Sequence, residues 1–218
     1  MKKQILIACS VLFTAGIIFI AGCKKDDTTA PTVSLNGSSS MSVSLQSATT
    51  DPGATANDDE DGDISSSVTS DWSSTNPNLN LKGTYTITYS VSDAAGNSNT
   101  ATRTVVVVND ADSRNGTYNC SIVSPAWNYT QTITASTTLN NRIHFSKFGD
   151  YAGNTGIYAN VTGSTVDLPS QTAVNVGNPA TTRTFVGTGT TNASGFSLSY
   201  TETTAAGSTN FVENFVKQ

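Results

Sequence analysis

Apolar residues recur along most of this chain at every second position, not every third or fourth, so strands are expected and no segment has the periodicity of an amphipathic helix. The clearest case is Thr84-Tyr85-Thr86-Ile87-Thr88-Tyr89-Ser90-Val91, with Tyr85, Ile87, Tyr89 and Val91 on one face and hydroxyl residues on the other. Asp93-Ala94-Ala95-Gly96-Asn97 then supplies turn residues, and residues 101–108 return as a β-branched strand, which predicts a hairpin. Shorter strands are expected at residues 33–35, 41–45 and 64–68, buried between two packed sheets. Residues 109–115 are polar and aperiodic and read as a linker. Beyond them come nine short runs, near 117–123, 127–135, 142–148, 156–161, 164–168, 172–176, 182–189, 195–203 and 209–216, punctuated by Gly163, Gly195 and Gly207. Such spacing is the sign of a barrel or sandwich, and the short links favour next-neighbour antiparallel pairing in an up-and-down meander.

The N-terminus breaks the pattern. Lys2 and Lys3 precede an uncharged, mostly apolar run from Ile5 to Ala21 that ends Ala21-Gly22-Cys23, which reads as an export leader over residues 1–22. The run is at the short end of what spans a bilayer, so an uncleaved membrane anchor is the competing reading. Ile20-Ala21-Gly22-Cys23 resembles the lipobox of bacterial lipoproteins, which implies that Cys23 is lipidated and becomes the first mature residue, with the membrane as its partner. More than one acyl chain gives stable anchoring. Lys24-Lys25-Asp26-Asp27 resembles the surface-export signal of Bacteroidetes-type lipoproteins, implying an outer-membrane, surface-exposed location; a solvated polar tether over residues 23–30 is the other reading.

Charge divides the rest. After the leader the chain carries 9 basic and 16 acidic side chains, which argues against a nucleic-acid partner, since phosphate binding needs a basic surface. Residues 24–113 hold 4 basic against 12 acidic residues and residues 114–218 hold 5 against 4, so two domains of about a hundred residues are expected. With Cys9 in the leader and Cys23 assigned to lipid, Cys120 has no partner for a disulfide. Its alternation with Tyr118 and Ile122 makes it a buried, inert thiol.

Four ordered segments, Thr50-Asp51-Pro52-Gly53-Ala54-Thr55-Ala56, Asp61-Gly62-Asp63-Ile64, Gly83-Thr84-Tyr85-Thr86-Ile87-Thr88-Tyr89 and Asp93-Ala94-Ala95-Gly96-Asn97, resemble the bacterial Ig-like module of pesticidal crystal proteins and surface proteins, related to hyalin repeats. The resemblance implies an Ig-like β-sandwich over residues 31–108 that acts as a spacer or adhesive module without catalysis. Within it Asp58, Asp59, Asp61 and Asp63, with Asp93 from a neighbouring loop, are candidate calcium ligands, because this hard ion takes six to eight oxygens. The spacing fails the EF-hand template, with Gly62 misplaced and Ser70 where a bidentate acid belongs, so plain turn chemistry stays open. Calcium is the only candidate cofactor.

Residues 116–218 resemble, in pattern only, the lipocalin-like β-barrel domains of Bacteroidetes-type lipoproteins. The expected fold is therefore all-β: an N-terminal Ig-like sandwich and a C-terminal antiparallel, lipocalin-like barrel or sandwich. Catalysis is disfavoured by inventory. His144 is the sole histidine and alternates opposite Ile143 and Phe145, and nothing pairs the C-terminal carboxylates Asp150, Asp167, Glu202 and Glu213 as glycoside hydrolysis requires. Most aromatics sit in strand phase, whereas Trp127, near Pro125, and Tyr151, between Gly149 and Gly153, lie in turn-like surroundings and are the candidate exposed ligand contacts. The expected function is non-catalytic binding of a glycan or surface protein at the cell envelope. A carbohydrate-active accessory enzyme and a purely structural envelope protein are the rivals.

Overall fold

A computed structural model describes residues 26–151, 156–177 and 180–218, and these are all-β. The leader, Cys23 and Lys24-Lys25 lie outside the described residues. Seven strands form the N-terminal half: β1 (Thr32–Leu35), β2 (Ser40–Ser44), β3 (Ala54–Asp58), β4 (Gly62–Asp63), β5 (Thr69–Ser70), β6 (Gly83–Ser92) and β7 (Ser98–Val108). They make two sheets, ordered β1-β3-β4 and β2-β7-β6-β5, with β2 parallel to β7 and the other pairs antiparallel. The β6–β7 hairpin matches its sequence pattern: Ile87, Tyr89 and Val91 alternate inward, and Ile87 and Tyr89 meet Val105 and Val43 in the core between the sheets.

One expectation for this half is corrected, and one strand was not anticipated. Residues 64–68 form no strand; Ser65–Ser67 is a short 3₁₀ turn, and Ser65 is tied back to the preceding chain, its amide donating to Asp63 Oδ1 and its hydroxyl to the Ala56 carbonyl. Strand β3 was hidden, since Ala54-Thr55-Ala56-Asn57-Asp58 inserts only alanine and a buried acid into the core and has almost no apolar signal.

Buried at the centre of the sandwich is Arg103, 1% exposed and in phase with Val105 and Val107 on β7. Its guanidinium donates to the carbonyls of Ser38, Asn36 (2.9 Å) and Gly53 (3.1 Å) and to the Tyr89 hydroxyl (3.2 Å). Tyr89 in turn donates to Asp51 Oδ1 at 2.5 Å, and Asp51 accepts from the Gly53 amide and the Ser70 hydroxyl. The Thr50-Asp51-Pro52-Gly53 segment is thus the outer end of one buried network that ties loop to sheet.

The C-terminal half is a closed barrel of eight antiparallel strands: β8 (Gly116–Ile122), β9 (Trp127–Ala135), β10 (Arg142–Phe145), β11 (Tyr158–Thr162), β12 (Thr165–Val176), β13 (Thr181–Asn192), β14 (Gly195–Thr204) and β15 (Gly207–Lys217). Each strand pairs with its neighbour in sequence, and β15 closes on β8 with Phe215 opposite Cys120. Closure removes the free edges that an open sheet exposes. The runs expected at 164–168 and 172–176 are one strand. Its register slips between Leu168 and Gln171, where Pro169 can give no ladder hydrogen bond, and the apolar alternation breaks there without ending the strand.

The barrel interior is filled. Phe145, Phe148, Phe185, Phe196 and Phe215 are 0–1% exposed, and their rings meet at centroid distances such as 5.0 Å (Phe145–Phe148), 5.3 Å (Phe148–Phe185) and 4.4 Å (Phe196–Phe215). Small barrels have room for little beyond their own side chains.

Residues 109–115 are not a free linker. Asn109 is 2% exposed and donates from Nδ2 to the carbonyls of Ser136 (2.8 Å) and Leu139 (2.9 Å), while Ala111 packs into the barrel core. Asp110 accepts from Ser44 Oγ (2.6 Å) and Asn140 Nδ2 (2.9 Å), Lys82 pairs with Asp112 at 2.5 Å, and the Lys82 amide donates to the Thr137 carbonyl at 2.7 Å. The β9–β10 loop is therefore hydrogen-bonded to both the connecting segment and the sandwich.

Candidate functional site

One end of the barrel buries polar side chains among its aromatic rings. Inward positions of β9, β13, β14 and β15 near this end carry Tyr129, Gln131, Arg183, Tyr200, Glu202 and Glu213, and the segment after β10 folds over them. That segment, Phe148–Asp150, is a 3₁₀ turn whose Phe148 inserts fully into the barrel, so the strand expected through residue 148 ends at Phe145. Gly149 takes φ 65°, a backbone conformation that side chains other than glycine rarely adopt, and lets the chain reverse over the opening.

The turn fixes Tyr151 and Trp127 in opposite ways. Tyr151 is half-buried, and its ring sits against Gly149 and Gly177, where a Cβ at either position would approach within 3.1–3.2 Å. Its hydroxyl donates to Glu202 Oε2 at 2.9 Å and accepts from Arg183 at 3.1 Å, and the Arg183 guanidinium lies 4.2 Å from its ring centroid. Arg183 also forms an ion pair with Glu202. Gly149 and Gly177 let backbone close on the ring, so Tyr151 is a packed wall, and Gly153 lies outside the described residues. Trp127 stays 56% exposed, and its indole N–H donates to Asp150 Oδ2 at 2.8 Å. Asp150 is held in turn by Lys147 at 2.7 Å, whose ammonium lies 5.2 Å from the Tyr129 ring centroid. The structure therefore brings Trp127 and Tyr151 to the same turn, with Trp127 exposed and Tyr151 half-buried.

Beneath them lies a group that the sequence did not single out. Glu213 is 0% exposed; Tyr129 donates its hydroxyl to Oε1, and Oε2 is buried with no hydrogen-bond partner. Burial, and in lesser degree the Asp150 carboxylate, pushes Glu213 up to about 7 against the stabilising hydroxyls of Tyr129 and Tyr200. The Tyr129 hydroxyl also accepts from Gln131 Nε2 (3.2 Å) and the Gly149 amide (3.0 Å), so the turn, the strand and the carboxyl form one unit. Gln131 also donates to Cys120 Sγ, and burial pushes that thiol up to about 12, in keeping with an inert cysteine. The signal for Glu213 was present in Phe211, Glu213 and Phe215, an acid in phase with two aromatics.

His144 faces outward beside Tyr158, with ring centroids 6.3 Å apart; burial and Arg142 hold it below the usual imidazole range. Among the described residues no hydrogen bond orients it as a general base. Glu202 and Glu213 both face inward but are 6% and 0% exposed, behind the turn that closes the barrel.

In the sandwich the acidic residues separate. Asp63 accepts from Ser65, and Asp61 Oδ2 accepts from the Ala94 amide at 2.7 Å. Asp58 (3% exposed) and Asp93 (8% exposed) come together with Asp27: one oxygen of each lies within 4.8 Å of the others. Asp59, Asp61 and Asp63 are outside that group. For Asp93, burial works to raise the carboxyl, and hydrogen bonds from the Asn97 side chain and from the amides of Asn97, Gly96 and Ala95 together bring it below its ordinary value.

Among solved structures the chain is similar to a lipoprotein from Bacteroides thetaiotaomicron, at 21% identity over 86% of this chain and 100% of that chain, with a TM-score of 0.34. It is also similar to a Clostridium perfringens ZmpB structure of a CBM51 domain in complex with GlcNAc and of INT domains, at 20% identity and a TM-score of 0.29, covering 78% of this chain and 29% of that one. No curated protein matches the chain. Residues 33–107 match the family model of the bacterial surface protein, Ig-like domain, and the two sheets and buried core described above are an Ig-like fold over the same residues.

Proposed function

We propose that the protein is a non-catalytic cell-envelope lipoprotein whose Ig-like domain carries a lipocalin-like barrel outward, and that the barrel recognises glycans through Trp127. The observation that carries this reading is the indole itself: a large aromatic face, 56% exposed, whose edge is pinned by Asp150 and, through it, by Lys147. Sugar rings stack on aromatic faces flanked by a few placed polar groups, and a platform held before binding loses little freedom when the ligand arrives. A non-catalytic role is supported by the burial of Glu202 and Glu213 and by the commitment of Glu202 to Arg183 and Tyr151, which keep these two carboxyls from facing a substrate as a pair. A glycan array probed with the full chain is expected to give ligands whose affinity falls at least about tenfold in Trp127→Ala, with folding stability changed by less than about 1 kcal/mol. Binding indifferent to Trp127 would sink the assignment.

The envelope placement rests on Ala21-Gly22-Cys23, with residues 1–22 removed, Cys23 lipidated and residues 23–30 leading into a sandwich over residues 31–108 and a barrel over residues 116–218. Cys23→Ala is expected to abolish incorporation of an acyl-chain probe and move the chain out of the membrane fraction. Equal labelling of both forms would contradict the anchor.

A further inference from the structure

Asp58 is held in an unusual state for a buried acid. Its Oδ1 accepts the amides of Glu60 and Asp61, both at 3.0 Å, which fixes the carboxylate plane. Its Oδ2 is buried and has no hydrogen-bond partner, although the residue is 3% exposed. Two more carboxylates converge here. Asp93 is anchored by the Asn97 amide (2.8 Å) and Asn97 Nδ2 (2.9 Å), and Asp27 is placed by the bond from Asn97 Nδ2 to its carbonyl (3.2 Å), with Oδ1 accepting the Thr29 amide (2.9 Å). The bond from the Ala94 amide to Asp61 ties the loop after β3 to the loop after β6, so three separate chain segments meet at one point. Among the described residues the ion pairs are Lys82–Asp112, Lys147–Asp150 and Arg183–Glu202, and none reaches this group.

We propose that Asp27, Asp58 and Asp93 together hold one calcium ion. Three carboxylates, two of them buried, repel one another and lose hydration, and an unpaired buried charge is among the costliest features a fold can carry. A cation coordinated by all three removes both penalties and supplies the partner that Asp58 Oδ2 lacks. The donors are all oxygen, with no imidazole or thiolate, which selects a hard ion over zinc or copper. Calcium–oxygen distances of about 2.3–2.6 Å put opposite ligands about 4.6–5.2 Å apart, so oxygens within 4.8 Å of one another already fit around one ion. Magnesium holds its waters more tightly and is seldom caged by protein carboxylates alone. Because Asp27 lies four residues after Cys23, the ion would staple the anchor-proximal segment to the sandwich and fix how the domain stands off the membrane. This inference is independent of the glycan reading.

The test uses the full chain, purified in detergent and stripped with chelator. Calorimetric titration with calcium chloride should give one site in the range of roughly 10⁻⁴–10⁻³ M common to extracellular modules, and the thermal midpoint should rise with calcium concentration. Asp27→Asn and Asp58→Asn should each weaken calcium binding at least about tenfold, since affinity follows the count of charged ligands, while Asp59→Asn leaves it unchanged. Should Asp58→Asn fail to fold, Asp27→Asn, at a partly exposed position, decides. The absence of calcium heat with unshifted melting, an equal response to magnesium, or full binding in Asp27→Asn would overturn the proposal.

Discussion

Replacing Arg103 with Met is expected to destabilise the Ig-like domain by about 3–5 kcal/mol, the range typical of removing one partner from a buried charged network. The substitution keeps an unbranched apolar stem, so the loss isolates the guanidinium from packing. The carbonyls of Asn36 and Ser38 lose their donor, while that of Gly53 keeps the Asn36 amide, and an acceptor shut off from water without a donor costs about 1–3 kcal/mol. Tyr89 keeps its bond to Asp51, but the acid then has no cation behind it. Arg103→Lys should fall well short of rescue, because an ammonium cannot span acceptors that a planar five-donor fork reaches together. Chemical denaturation followed by Trp72, which packs against the sandwich core, reads the change directly. A loss below about 1 kcal/mol would mean that water replaces the guanidinium and that the network does not hold the sheets together.

The second large effect is on pH. Glu213 has its folded value raised to about 7 from an ordinary 4.5, chiefly by burial, so the folded protein binds this proton more tightly than the unfolded chain does. Stability from this group is therefore full below about pH 4.5, declines as pH rises toward 7, and is lost above it, a contribution on the order of 3 kcal/mol. His144 acts in the opposite sense over part of the window, since a histidine held low costs stability as pH falls below its ordinary value. Asp63, Asp93 and Asp110, all held low, lose their contributions only at more acid pH. The comparison of the native chain with Glu213→Gln separates these terms. Glu213→Gln should flatten the decline between pH 4.5 and 7 and leave the protein more stable than native at pH 8. Parallel profiles for the two proteins would show that the carboxyl is not the titrating group.

Much of the fold was legible because period-two alternation is strong wherever a strand has one buried face, as in β6, β7, β14 and β15. It failed where the buried face is not apolar. Strand β3 points Ala56 and Asp58 inward, and β12 crosses Pro169 by a slip in register, so neither leaves a continuous pattern. The candidate sites were legible only in part for a related reason. Asp58 and Asp93 stand out as acids near turns, but Asp27 joins them through topology, from a segment that reads as a solvated tether. Arg103 and Glu213 were visible as charges in phase with apolar neighbours, and what they bond to could not be read from spacing. Tyr151 misled because glycine beside an aromatic marks either an open turn or a tight contact, and only geometry distinguishes them.

Glycan recognition at the barrel rim can be followed directly because the chain has two tryptophans. In a Trp72→Phe background, Trp127 is the sole indole, and its emission reports the rim of the barrel. Titration with each array-positive glycan should change that emission saturably, with a midpoint equal to the dissociation constant found by calorimetry on the same protein. A glycan that binds by calorimetry while Trp127 emission stays constant, or an array on which nothing binds, would contradict recognition at this rim.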